Sequence, residues 1–141
     1  MLTEKNIQEA KQILLSKELF IFDMDGTIYL GGIPFEFAVK FINKLRKNGK
    51  KVLFFTNNAS HTPEFYMTKL SGLGFAPGKE EICTSGNVTA AFLMRNRAGK
   101  TVYLVGTPEL YEQFRVSGID MTCDKSGKWD GRKTDIVVTS F

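Results

Sequence analysis

Residues 19–27, Leu-Phe-Ile-Phe-Asp-Met-Asp-Gly-Thr, constrain the fold of this chain more than any other stretch. An apolar run ends abruptly in two carboxylates one residue apart, followed by glycine and threonine. Such a run reads as a buried strand of a parallel sheet. Side chains two apart on a strand share a face. Asp23 and Asp25 are therefore expected to project together from the strand's carboxyl end, where open α/β sheets bind their ligands. Two acids held that close repel each other unless a cation lies between them or one keeps its proton.

Strand and helix patterns alternate around this motif. Residues 1–16 read as an amphipathic helix, with Thr3 as N-cap and Ile7, Ala10, Ile13 and Leu14 at helical spacing. Residues 17–141 read as the core domain. Gly26, Gly31 and Gly32 suggest a loop or small hairpin after the acids. A helical pattern from Pro34 carries Phe37, Phe41, Ile42 and Leu45 and stops at Asn48-Gly49. Strands are expected over 51–55, 82–84, 101–105 and 135–139, and helices from Thr62-Pro63, over 87–96 and over 108–116. Residues 120–133 read as a loop, and Phe20, Phe22, Phe54 and Phe55 as core. The implied class is α/β, a Rossmann-like doubly wound parallel sheet with helices on both faces.

Composition excludes several function classes. With 141 residues, 43% apolar and 24% charged, the chain is that of one ordinary globular domain. The net charge of +4 is small and spread out, so it argues for no nucleic acid partner. Its densest group, Lys44, Arg46, Lys47, Lys50 and Lys51, reads as a solvated helix end that complements the helix dipole. No apolar run is long enough to span a bilayer, and no signal peptide opens the chain, so no membrane partner is expected. Cys83 and Cys123 match no metal-ligand spacing, which suits free thiols and a cytoplasmic location.

Thr56 and Asn57 end the second strand as the acids end the first. A threonine hydroxyl and backbone N–H groups at a strand-to-helix turn can cradle phosphate. The facing carboxylates would repel it unless Mg²⁺ neutralised them, and Mg²⁺ takes one or two carboxylates, water and a substrate phosphate. Together these groups point to Mg²⁺-dependent phosphoryl chemistry.

Asp23-Met24-Asp25-Gly26-Thr27 resembles the first motif of the haloacid dehalogenase superfamily, and Thr56-Asn57-Asn58 its second. The strings 25–31, 54–60, 84–86 and 102–106 are similar to those of its NagD-like and p-nitrophenyl phosphatase-like branch. The resemblance runs from about Lys17 to Phe141 and implies a Mg²⁺-dependent phosphatase acting through an aspartyl-phosphate. It implies that Asp23 is the nucleophile and Asp25 the general acid and base. Both would hold the metal, Asp25 by its backbone carbonyl. Thr56 and the Asn57 amide would bind the phosphoryl group, Asn58 would orient substrate or simply form the turn, and Gly26 and Thr27 would support the loop. His61 has two readings, an anion contact and a structural residue before α-helical Thr62-Pro63. The implied substrate is a small phosphorylated metabolite, a sugar phosphate or nucleotide.

The family's third-motif lysine and fourth-motif acids have no convincing counterpart. Asp120 and Asp124 read as loop acids, and Lys100 precedes a strand. The expectation is a partial core, truncated before the branch's cap domain, whose first strand leaves an open edge for self-association. Two alternatives stand beside the phosphatase reading. One is a non-catalytic fragment. The other is a receiver-type phosphoacceptor domain, which the absence of an acid at the end of strand 82–84 counts against.

Overall fold

A computed structural model describes residues 3–140; Met1 and Phe141, the outer limits of the two segments read from the sequence, lie outside the described residues. The chain opens with α1 (Glu4–Ser16), whose first turn is closed by Thr3. The Thr3 hydroxyl accepts the Asn6 N–H at 3.3 Å, and the Asn6 carboxamide accepts the Thr3 N–H at 3.2 Å. Then come β1 (Leu19–Asp23), the short antiparallel pair β2 (Tyr29–Leu30) and β3 (Ile33–Pro34), α2 (Glu36–Lys47) and β4 (Lys51–Thr56). The remaining elements are α3 (Pro63–Gly72), β5 (Ile82–Thr84), α4 (Ser85–Asn96), β6 (Thr101–Val105), α5 (Pro108–Val116), β7 (Asp120–Met121) and β8 (Ile136–Thr139). Among the described residues no helix is long and apolar enough to cross a membrane.

The fold is α/β with parallel strands, as the alternation implies. The strands form two parallel three-stranded sheets, ordered β1-β4-β5 and β7-β6-β8. Register aligns Leu19 with Lys51 and Asp23 with Phe55, while Thr56 aligns with Thr84. Asp23 thus sits beside the residue preceding Thr56. The parallel register itself brings the ends of β1 and β4 to one level.

Each sheet has its own apolar cluster. Ala38, Ile42 and Leu45 of α2 and Tyr66 and Leu70 of α3 pack with Val52 and Phe54 of β4. Around β6, Val102 and Leu104 pack with Leu93 of α4 and with Leu110 and Phe114 of α5. Fully burying such side chains contributes roughly 1.5–3 kcal/mol each, which is what holds helix to sheet.

Several expectations are corrected. β1 is not buried. Its alternation turns Phe20 and Phe22 toward Phe41 of α2, at 6.4 and 6.2 Å between ring centres, and leaves Leu19 50% and Ile21 60% exposed. Phe55 stands on that same outer side, 36% exposed, rather than in the core. The α2 face also differs: Phe37 points outward, and Ala38 takes the inward position with Ile42 and Leu45. Pro34 belongs to the β2–β3 hairpin, so α2 begins two residues later than its pattern suggests. Residues 120–121 pair with β6 instead of remaining loop, because Ile119 and Met121 are drawn into the second cluster.

The basic group is not simply solvated. The Arg46 guanidinium bonds Glu81 at 2.5 Å and the Phe75 carbonyl at 2.5 Å, and Lys50 donates to the Leu15 carbonyl at 2.9 Å, near the end of α1. Long apolar stems let these heads reach partners that sequence spacing does not reveal.

Candidate active site

Past the end of β1 the chain turns sharply. Gly26 has φ +78°, a conformation glycine adopts without penalty, and its N–H donates to the Tyr29 carbonyl at 2.7 Å. The Thr27 and Ile28 N–H groups both donate to the Met24 carbonyl, at 3.2 and 3.0 Å. Met24 and Ile28 are buried, so the turn is anchored from below. Asp25 lies in this turn, beyond the strand, and not on β1 itself.

Each acid is held by a donor from the same loop. The Thr27 hydroxyl donates to Asp23 Oδ2 at 3.1 Å, and the Gly31 N–H to Asp25 Oδ1 at 3.3 Å. Both carboxylates line one cleft of about 340 Å³ together with Thr56, Asn57 and Asn58. The five polar residues singled out by the sequence therefore do share one cavity. Gly26 and Thr27 support it from the turn.

The second strand end is equally organised. Thr56 is buried, and its hydroxyl accepts the Asn58 N–H at 3.1 Å. Ser85 at the start of α4 donates to the Asn57 carbonyl at 2.7 Å. Asn58 Oδ1 accepts the Ser60 N–H at 2.7 Å, the geometry of a turn-forming asparagine. Its oxygen is thus committed to the loop, while its NH₂ group can still donate.

Four residues that the sequence reading did not assign also line the cleft: Tyr29, Phe65, Tyr66 and Lys69. His61 lines it too, stacked on Phe65 with ring centres 3.9 Å apart. Phe65, Tyr66 and Lys69 fall at i, i+1 and i+4 on α3, a spacing that places them on one side of the helix. That spacing was visible in the sequence. What hid it was that nothing local says which side of α3 meets the acids.

Burial, with Asp25 beside it, pushes the Tyr29 phenol up to about 12. Burial raises the Tyr66 phenol as well, reinforced by Asp25 and partly offset by the Thr56 hydroxyl. Both phenols therefore remain neutral donors next to the acid pair at ordinary pH. The Lys69 ammonium stands 4.3 Å from the centre of the Tyr29 ring.

The other acids named from the sequence lie outside this cleft. Asp120 pairs with Arg132 at 2.9 Å. Asp124 accepts the Ser126 and Lys128 N–H groups at 2.8 and 3.1 Å, closing its own loop. A larger groove of about 710 Å³ runs between α3 and α5, but it contains neither Asp23 nor Asp25.

Residues 20–120 match the family model described as haloacid dehalogenase-like hydrolase. The chain is 30% identical over 131 residues to phosphoglycolate phosphatase 1A, chloroplastic, of Arabidopsis thaliana, covering 92% of this chain and 35% of that protein. Among solved structures, the 4-nitrophenylphosphatase of Thermotoga maritima superposes with a TM-score of 0.75 at 32% identity, covering 87% of this chain and 44% of that one. The glycerol phosphate phosphatase of Mycobacterium tuberculosis, solved in complex with magnesium, gives 0.71 at 30% identity, with coverage of 87% and 35%. The chain thus spans less than half the length of each of these relatives.

Proposed function

This chain belongs to the haloacid dehalogenase-like hydrolases, in their NagD-like and p-nitrophenyl phosphatase-like branch, and from that membership we propose that its cleft hydrolyses phosphate monoesters. The observation that carries the reading is the convergence of Asp23, Asp25 and Thr56 on one cavity. In this reading the Asp23 carboxylate attacks phosphorus and the P–O bond to the leaving group breaks. Asp25 gives its proton to the departing alkoxide. Asp25 then takes a proton from water, which attacks the aspartyl-phosphate and releases phosphate and free Asp23. The Thr27 hydroxyl at 3.1 Å keeps the nucleophile aimed, and Thr56 and Asn57 receive the phosphoryl oxygens.

Mg²⁺ fits this donor set in a limited way. Among the described residues no group of three or more His, Cys, Asp or Glu side chains could hold a metal. One carboxylate and a carbonyl oxygen, completed by water and a substrate phosphate, suffice for Mg²⁺, which rarely uses all-protein cages. The Asp23 carboxylate and the Asp25 backbone carbonyl would hold it. When bound, the ion would offset the repulsion between the acids and an incoming phosphate.

The substrate class we infer is a small phosphorylated metabolite, a sugar phosphate or nucleotide, in keeping with the phosphate-ester substrates named for the relatives. The free thiols Cys83 and Cys123 support a cytoplasmic setting. The test is hydrolysis of p-nitrophenyl phosphate with Mg²⁺. Turnover is expected, with loss on adding EDTA and a fall of ~10³-fold or more in Asp23→Asn. A folded wild type with no turnover would instead favour the non-catalytic fragment.

A further inference from the structure

Lys69 is the single lysine or arginine among the described residues that line the acid cleft. It is half-buried on α3, one turn beyond Phe65. Its ammonium rests against the Tyr29 ring at 4.3 Å and takes part in no ion pair among the described residues. That distinguishes it from Lys79 nearby, which is paired with Glu64 at 3.4 Å. A cation held on an aromatic face is attracted by the ring quadrupole, but its charge is not neutralised. It keeps both the charge and N–H donors for an incoming anion.

The cleft needs such a group. Asp23 and Asp25 give it two carboxylates, and the Thr56 hydroxyl and Asn57 amide that also line it carry no charge. A phosphate ester entering this space meets negative charge on one side and, from the protein, one cation on the other. We propose that Lys69 is a substrate-binding residue whose ammonium takes an anionic oxygen of the phosphorylated substrate. The proposal rests on the phosphatase reading and deepens it. Two sources of that oxygen share the same chemistry: the phosphoryl group itself, or an acidic group on the leaving alcohol.

The experiment titrates the full chain, with Mg²⁺ present, with inorganic phosphate and with phosphonoacetate, which joins a phosphonate to a carboxylate and has no ester to cleave. Wild type, Lys69→Met and Lys69→Arg are compared by calorimetry, with melting temperatures recorded alongside. Losing one charge-assisted hydrogen bond should weaken binding on the order of tenfold in Lys69→Met, and Lys69→Arg should retain most of the affinity. Equal losses for both ligands place the phosphoryl group on Lys69. A loss confined to phosphonoacetate places the leaving-group acid there. If wild type binds both ligands and Lys69→Met binds both equally well, Lys69 only packs on Tyr29 and the proposal is overturned, even if the melting temperature falls. If wild type binds neither, the phosphatase reading itself fails and takes this assignment with it.

Discussion

At the scale of single residues, the cleft depends on a few backbone and side-chain constraints around Asp23. Gly26 shows this most directly. A methyl group added there meets nothing within 4 Å, yet φ is +78°. The cost of Gly26→Ala is therefore conformational and not steric, about 1 kcal/mol of stability. Because the same turn carries Asp25, hydrolysis should also slow; a urea melt and a p-nitrophenyl phosphate assay check the two effects separately. Tyr29 gives a pH prediction. Its phenol ionises at about 12 in the fold against an ordinary value of 10.0. The unfolded chain therefore loses that proton first as pH rises, and stability from this group is intact below pH 10 and lost progressively up to about 12. Ultraviolet titration should show a tyrosine ionising at about 12 that is missing from Tyr29→Phe, while the raised Tyr66 remains in both; the same late-ionising amplitude in wild type and Tyr29→Phe would contradict this.

At the scale of elements, the helix starts marked by Thr-Pro were legible and strand environments were not. Helix α4 begins at Ser85, two residues before its expected start. Thr62-Pro63 and Thr107-Pro108 each put a hydroxyl cap before a proline, and α3 and α5 begin there, with Thr62 and Thr107 accepting from the Phe65 and Leu110 N–H groups. Those signals are local, carried within four residues. By contrast β7 is two residues long and exists only because β6 lies beside it. Arg46 is the clearest long-range case. Sequence made it one of a solvated basic group, whereas the fold ties α2 through it to Glu81 and to the Phe75 carbonyl. Both side chains of the pair are mostly buried, 24% and 21% exposed. Glu81→Ala leaves a half-buried guanidinium without its carboxylate and should cost about 1–3 kcal/mol, read as a lower urea midpoint at unchanged slope.

At the scale of the whole molecule, two clusters build two parallel sheets, and the first sheet ends at β1. No other described strand pairs with its outer edge. Leu19 and Ile21 stand exposed beside that row of backbone donors and acceptors, and β1 contains no lysine, proline or bulge to block pairing. Such an edge is expected to associate with a second copy of the chain. Sedimentation velocity should show concentration-dependent association that Ile21→Lys reduces. A wild type that stays monomeric across the range would contradict the expectation.

The sequence by itself determined the α/β class, the order of its helices and longer strands, and the acids, hydroxyl and turn that meet at the ends of β1 and β4. These features are encoded locally: caps, glycines, and apolar runs that stop at polar residues. Parallel register then brings Asp23 level with Phe55, one residue before Thr56, which the motif spacing alone could only suggest. The tertiary structure decided which surfaces are covered and which side of α3 faces the acids. An apolar strand reads the same whether one face or both find partners, so the exposure of Leu19 and Ile21 could not be read from their run. Likewise Tyr29, Tyr66 and Lys69 joined the cleft only when packing set the hairpin against the helix. Burial and long-range contact are properties of the whole arrangement, and local sequence carries them only in part.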